Sequence, residues 1–169
     1  MKGVSVLTLL FVVVATLSLY GQTSYPLRED VATLDGIIKA YYEVVSGPEG
    51  PKETARDASL HHPEANVMIS GVDKKGQPYL KAMTLKEYHA NSSNAAFYER
   101  EIFRVTESFG NVTHAWSTYE ARTSPGGPVI ARGINSIQLY HDADRWWILS
   151  WVFDSERKNN PIPGKYLNR

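Results

Sequence analysis

Two adjacent histidines, His61 and His62, with Asp57 four residues before the first, are the side chains of this sequence best suited to moving a proton. An imidazole titrates near neutral pH and can accept or donate a proton without help from a cofactor. If the segment leading to them is helical, Asp57 and His61 lie one turn apart, so the carboxylate can orient the ring. Tyr41, Tyr42 and Tyr119 add phenols that can donate to a developing oxyanion wherever they project into a cavity. Metal chemistry has little support. Adjacent histidines point in different directions, and His89, His114 and His141 stand alone, with no His-x-His or Glu-x-x-His grouping. The chain has no cysteine, which excludes disulfides, thiolate metal sites and cysteine nucleophiles. The chemistry expected is therefore free of metal and cofactor.

The elements that must position these residues follow from apolar spacing and turn chemistry. Val31, Leu34, Ile37, Ile38, Tyr41, Tyr42 and Val45 recur at three- and four-residue steps, which predicts one helix over Arg28–Val45. Gly47-Pro48-Glu49-Gly50-Pro51 stops it, and a short helix follows over Lys52–Leu60. His61 to Asn66 reads as a turn leading into a strand, Val67–Val72, and Asp73–Pro78 as a further turn. Thr84 with Glu87 has the form of a capping box, predicting a helix from there to about Phe97. Tyr98–Phe109, Ala115–Thr123, Val129–Tyr140 and Trp146–Phe153 read as strands separated by turns. Helices followed by consecutive strands predict an α+β domain with helices on one face of the sheet. In strict alternation the last strand puts Trp146, Ile148, Ser150 and Val152 on one face and Trp147, Leu149, Trp151 and Phe153 on the other. Both faces are then apolar and both need cover. A homodimer through the sheet is the expected cover, with the segment Pro161–Leu167 of the same chain as the alternative. Glu99, Arg100 and Glu101, beside Glu120 and Arg122 of the next strand, read as ion pairs on a solvated patch. Asn135 interrupts the inward series Gly133, Ile137 and Leu139 and needs hydrogen-bond partners there.

The N-terminus carries a different signal. Lys2 precedes an uncharged, largely apolar run from Val4 to Tyr20, the pattern of a secretory leader, with Gly21 as the expected cleavage point. The expected organisation is a signal peptide over 1–21, a linker over 22–27, one domain over 28–158 and a C-terminal tail over 159–169 that leaves the domain. The product is expected to be secreted or periplasmic, with no stable membrane anchor after cleavage. Eighteen basic residues balance eighteen acidic ones, so no excess charge draws the chain to nucleic acid. Without disulfides, an exported domain must rely on its core, for which four Trp, ten Tyr and five Phe supply the area.

The order of elements, the turn Ser59-Leu60-His61-His62-Pro63-Glu64-Ala65 and the strands Ala131–Leu139 and Asp144–Ser150, with Trp146-Trp147-Ile148, together resemble the nuclear transport factor 2-like (SnoaL-like) superfamily. The resemblance covers about Leu27 to Arg157. It implies a curved antiparallel or mixed sheet wrapped on the N-terminal helix with two shorter helices, a cystatin-like cone whose open end holds a small apolar ligand. Enzymes on this fold include ketosteroid isomerase, scytalone dehydratase, polyketide cyclases and limonene epoxide hydrolase, and other members only bind or assemble. The isomerase's oxyanion-binding tyrosine falls near Tyr41. Its general base falls at Ile69, which cannot take a proton, and Asp73 lies too far along the chain to replace it.

The catalytic candidates are thus His61, His62, Asp57 and Tyr41. Tyr42, Trp116, Tyr119, Asn135 and Trp151 are the candidate ligand contacts. The leading expectation is an exported domain that binds a small hydrophobic molecule. The alternatives are a cofactor-free acid–base isomerase, dehydratase or cyclase, and an interaction module acting through its sheet face. Fold alone does not choose among them.

Overall fold

The computed structural model describes residues 24–167, so the leader at 1–21 lies outside the described residues. The domain is α+β, with four short helices on a six-stranded mixed sheet. Helices α1 (Arg28–Val31), α2 (Leu34–Val45) and α3 (Thr54–Leu60) precede strands β1 (His61–Val72) and β2 (Pro78–Thr84). Helix α4 (Leu85–Ala90) then leads into β3 (Tyr98–Phe109), β4 (Val112–Arg122), β5 (Ala131–His141) and β6 (Trp146–Ser155). The strand order is β2-β1-β6-β5-β4-β3. Among the described residues only the β1–β6 pair is parallel.

The predicted first helix is divided. Thr33 accepts a hydrogen bond from the Gly36 amide at 2.9 Å and so caps a new helix, which leaves α1 as a single turn. Asp30 of α1 is buried, and Arg56 of α3 grips both its oxygens at 2.8 Å while also reaching Glu43 of α2 at 2.8 Å. One guanidinium therefore fastens the three N-terminal helices to one another. Helix α2 sends Ile37, Ile38, Tyr41, Tyr42 and Val44 into the core, against β3 and β6.

Strand β1 begins six residues earlier than predicted. Its pairing with β6 shifts register between His61 and Asn66, and Pro63 sits in that irregularity, where its missing N–H breaks no ladder bond. The strand β2 was not expected. It is an exposed edge whose only buried residue is Met83, so it carries no alternating apolar signal. The capping box at Thr84 and Glu87 forms, but α4 ends at Ala90. The following residues turn back to the loop after α2, where Gly47 and Phe97 exchange backbone bonds at 2.7 and 3.0 Å.

The faces of β6 differ from strict alternation. Leu139 lies opposite Ile148 and Gln138 opposite Ser150, so Leu149 is an extra, bulged residue. Trp146, Ile148, Trp151 and Phe153 all join the helix-side core as a result. The opposite face keeps Trp147, Ser150 and Val152. Trp147 is capped there by the Arg145 guanidinium, 3.5 Å from its ring centroid. The C-terminal segment does not leave the domain. Ile162 is buried, the Thr118 hydroxyl donates to the Tyr166 carbonyl at 2.8 Å, and Tyr166 lies 6.0 Å from Trp116, ring to ring. The premise of two bare apolar faces, on which the dimer expectation rested, is corrected by these two features.

Candidate functional site

Between α2, α3, α4 and the helix side of the sheet lies a cavity of about 630 Å³. That is within the size range of small-molecule sites. Of the candidates, Tyr41, Asp57, Tyr119, Asn135 and Trp151 line it, and His61, His62, Tyr42 and Trp116 do not. Ile69, the position the isomerase resemblance assigns to the base, is on its wall. Asp73 is spent elsewhere, accepting from the Lys75 and Gln77 amides in its own turn.

The helical spacing does bring Asp57 and His61 together. His61 Nδ1 donates to the Asp57 carbonyl at 2.9 Å and lies 3.4 Å from its carboxylate. Its other nitrogen, Nε2, accepts from the indole N–H of Trp151 at 3.1 Å. Because an indole can only donate, the tautomer follows from this bond. Burial lowers the affinity of His61 for a second proton, although Asp57 opposes this. His61 is therefore a neutral, fully engaged core residue that holds the Trp151 ring in place. It does not face the cavity, which corrects its assignment as a base. His62 is on the other side of the sheet, with its ring 5.6 Å from that of Trp147 and Nδ1 accepting from the Glu64 amide. Trp116 is also on that side, between His114 and Tyr166, and not at a pocket mouth.

The imidazole that does meet the cavity is His89 of α4. Its Nε2 donates to the Asp57 carboxylate at 2.7 Å. Thirty-two residues separate the two, so only the tertiary fold unites them. A second unpredicted group is Glu99. The sequence placed it on a solvated patch, where Arg100 and Glu120 do pair at 2.7 Å, but Glu99 itself points into the cavity. The cause is a bulge at Ile102. Beyond it Phe103 lies opposite Thr118, whereas before it Glu101 lies opposite Tyr119 and Glu99 opposite Ala121. Both Tyr119 and Ala121 line the cavity, and so therefore does Glu99.

Burial pushes the Glu99 carboxyl up to about 7, against the pull of a hydrogen bond from Asn135. Asn135 Nδ2 donates to Glu99 at 3.3 Å and to the Tyr42 hydroxyl at 3.1 Å. The Tyr42 hydroxyl is 2.6 Å from Ser117 Oγ, and Ser117 donates to Glu101. Tyr42 and Asn135 thus form the supporting layer behind Glu99, which answers the need for partners read from the sequence. Tyr41 packs edge-on against Trp151, with centroids 6.0 Å apart. Burial first, and the Glu99 carboxylate second, raise its phenol well above the ordinary value. Tyr41 lines the cavity, and its hydroxyl has no hydrogen-bond partner among the described residues. Tyr119 crosses Gly133, where a β-carbon would lie 2.5 Å from the phenol oxygen, so only glycine admits this ring position.

Compared with known proteins, the chain matches no family model and no curated protein. Solved structures do match. An NTF2-like protein of unknown function from Shewanella baltica has a TM-score of 0.50 at 14% identity, over 72% of this chain and 90% of its own. A cystatin-like-fold protein of unknown function from Nostoc punctiforme has a TM-score of 0.54 at 5% identity, over 75% and 95%. An uncharacterized cystatin-like-fold protein from Caulobacter vibrioides has a TM-score of 0.52 at 12% identity, over 76% and 90%. The fold is nuclear transport factor 2-like. The cavity lies on the helix side of the sheet. The carboxyl without an ion-pair partner among the described residues, Glu99, enters from β3 and not from β1.

Proposed function

We propose that the cavity receives a small, largely apolar molecule whose polar group meets Glu99. The observation that carries this reading is a carboxyl on the wall of an otherwise mainly aromatic and aliphatic cavity, with the Asn135 amide as its single donor among the described residues. A wall built only for packing would have no such group, because dehydrating an unpaired carboxylate costs several kcal/mol. The test is a titration with 2-naphthol, read by tryptophan fluorescence. A saturable change, absent from the cavity-filling variant Ala96→Trp, is expected. A response that does not saturate, or that persists in Ala96→Trp, would refute the reading.

A second reading is cofactor-free acid–base catalysis, favoured by a carboxyl poised near neutral pH beside the free Tyr41 hydroxyl. Glu99, in place of His61 or His62, would take a proton from a carbon next to a carbonyl. Tyr41 would donate to the enolate oxygen. Protein-dependent deuterium exchange into 2-tetralone, lost in Glu99→Gln, is the expected sign. Equal exchange by the two proteins would exclude it.

Export belongs to the same proposal, supported by the uncharged run Val4–Tyr20 behind Lys2. Mass spectrometry of the exported product is expected to give Gln22 as its first residue, and an intact Met1 would refute it.

A further inference from the structure

We propose that the cavity's ligand is a small hydrophobic amine, bound as its ammonium ion with Glu99 as counter-ion. This rests on the reading of the cavity as a binding site and adds the chemical class of what it holds.

The charges on the cavity wall carry the argument. Glu99 forms no ion pair among the described residues, although the strand it belongs to has basic groups nearby. Arg100 turns outward to Glu120, and Arg104 turns to Asp35 and Glu101. Of the two basic groups that line the cavity, His89 is joined to Asp57. Lys52 donates instead to the Gly47 and Pro48 carbonyls, at 3.3 and 3.2 Å. The cavity therefore contains one carboxyl that no protein cation neutralises. A ligand carboxylate would meet like charge there. A neutral ligand would leave Glu99 dehydrated and unpaired once it ionises. An ammonium supplies both the missing charge and the missing donors.

The rest of the wall suits a cation as well. Tyr41, Tyr88, Phe97, Tyr119, Trp151 and Phe153 line the same space. Tyr88 stands edge-on to Trp151 with centroids 5.1 Å apart and planes at 81°. Aromatic residues thus make up much of the wall, and cations are attracted to the faces of aromatic rings. Apolar surface and ring faces would hold the hydrocarbon body and the ammonium together.

Three rigid ligands with the same adamantyl body test this on the purified protein: 1-adamantanamine, 1-adamantanol and 1-adamantanecarboxylate, titrated calorimetrically at pH 8. The amine is expected to bind at least about tenfold more tightly than the alcohol, the gain of roughly one charge-assisted hydrogen bond. The carboxylate is expected to bind most weakly. In Glu99→Gln the amine is expected to lose its advantage and to bind no more tightly than the alcohol does to the same variant. At pH 5.5 the advantage of the amine is expected to shrink. The titratable groups that line the cavity with Glu99 are Tyr41 of α2, Lys52 before α3, Asp57 of α3, Tyr88 and His89 of α4 and Tyr119 of β4, so the same titration is run on His89→Gln, where the loss at pH 5.5 is expected to persist; its disappearance would move the effect from Glu99 to that imidazole and overturn the assignment. Alcohol and amine binding equally, or an amine preference that survives Glu99→Gln, would overturn the amine assignment and leave the binding site standing. No binding by any of the three would overturn both.

Discussion

Replacing Glu99 by glutamine keeps the shape of the side chain and removes its ionisation, so it isolates the cost of holding a carboxylate in the cavity. Burial raises this carboxyl from its ordinary 4.5 to about 7 in the folded protein. At 1.36 kcal/mol per pH unit, that step corresponds to about 3 kcal/mol. The sign follows from which state prefers the proton. Below pH 4.5 the carboxyl is protonated in both folded and unfolded chains, and its ionisation has no effect. Between pH 4.5 and 7 the unfolded chain ionises and the fold does not, so stability falls as the pH rises. Above pH 7 both are ionised and the full loss is present. Glutamine escapes this, and its advantage over glutamate is expected to grow from about 1 kcal/mol at pH 5 to about 3 kcal/mol at pH 8. For a domain of this length that is roughly 6–12 °C in melting temperature at pH 8. The assay is thermal unfolding of both proteins from pH 5 to pH 8, followed by circular dichroism. The desolvated His61 adds its own pH dependence, but it is common to both proteins and cancels in the difference. A difference that stays constant with pH would show that Glu99 ionises as a surface carboxyl does, and the argument from its isolation would fail.

Two further perturbations test the frame around the site. Arg56→Met leaves Asp30 buried without its partner and is expected to cost about 3–5 kcal/mol in urea unfolding, most of it recovered by adding Asp30→Asn. A loss below 1 kcal/mol would mean that the three helices do not depend on this guanidinium. Trp151→Phe removes the donor to His61 Nε2 while keeping an aromatic wall, at an expected cost of about 1–3 kcal/mol. A freely titrating His61 in the wild-type protein, seen by NMR, would contradict the bond on which that figure rests.

Most of the architecture was legible from patterns that repeat along the chain. The apolar steps of α2, the capping box of α4 and the turns around β4 and β5 all report local geometry, and each lies near its expected place. Within the site, Tyr41, Tyr119 and Asn135 were legible for the same reason, as residues on the inward side of amphipathic elements. The edge strand β2 was not, because a strand exposed on most sides has no apolar period. His89 was not, because its partner Asp57 lies 32 residues away and meets it only through packing. The C-terminal segment was misread because two prolines exclude a helix or a central strand but do not prevent a chain from lying along a sheet.

Glu99 illustrates a sharper limit. Counted back from the turn at Gly110 and Asn111, where Phe109 faces Val112, an unbroken ladder sets Glu99 opposite Arg122 on the outer face. That is the ion pair the sequence suggests. One extra residue at Ile102 moves the whole start of β3 by one position, and a slip of one residue exchanges the faces. The bulge at Leu149 does the same in β6. Without it the turn into β6 would send Ser150 and Val152 inward and Trp151 and Phe153 outward. Two single-residue irregularities therefore bring the carboxyl and two aromatic walls of the cavity to the same side of the sheet. The group they introduce does not stabilise the fold, since a dehydrated carboxylate lowers stability at every pH where it ionises. A ligand that binds the ionised form reverses that sign: by linkage it lowers the affinity of Glu99 for its proton and returns stability in proportion to its own affinity. A group costly to the empty fold and compensated in the occupied one is what a binding site requires and what a packing core does not.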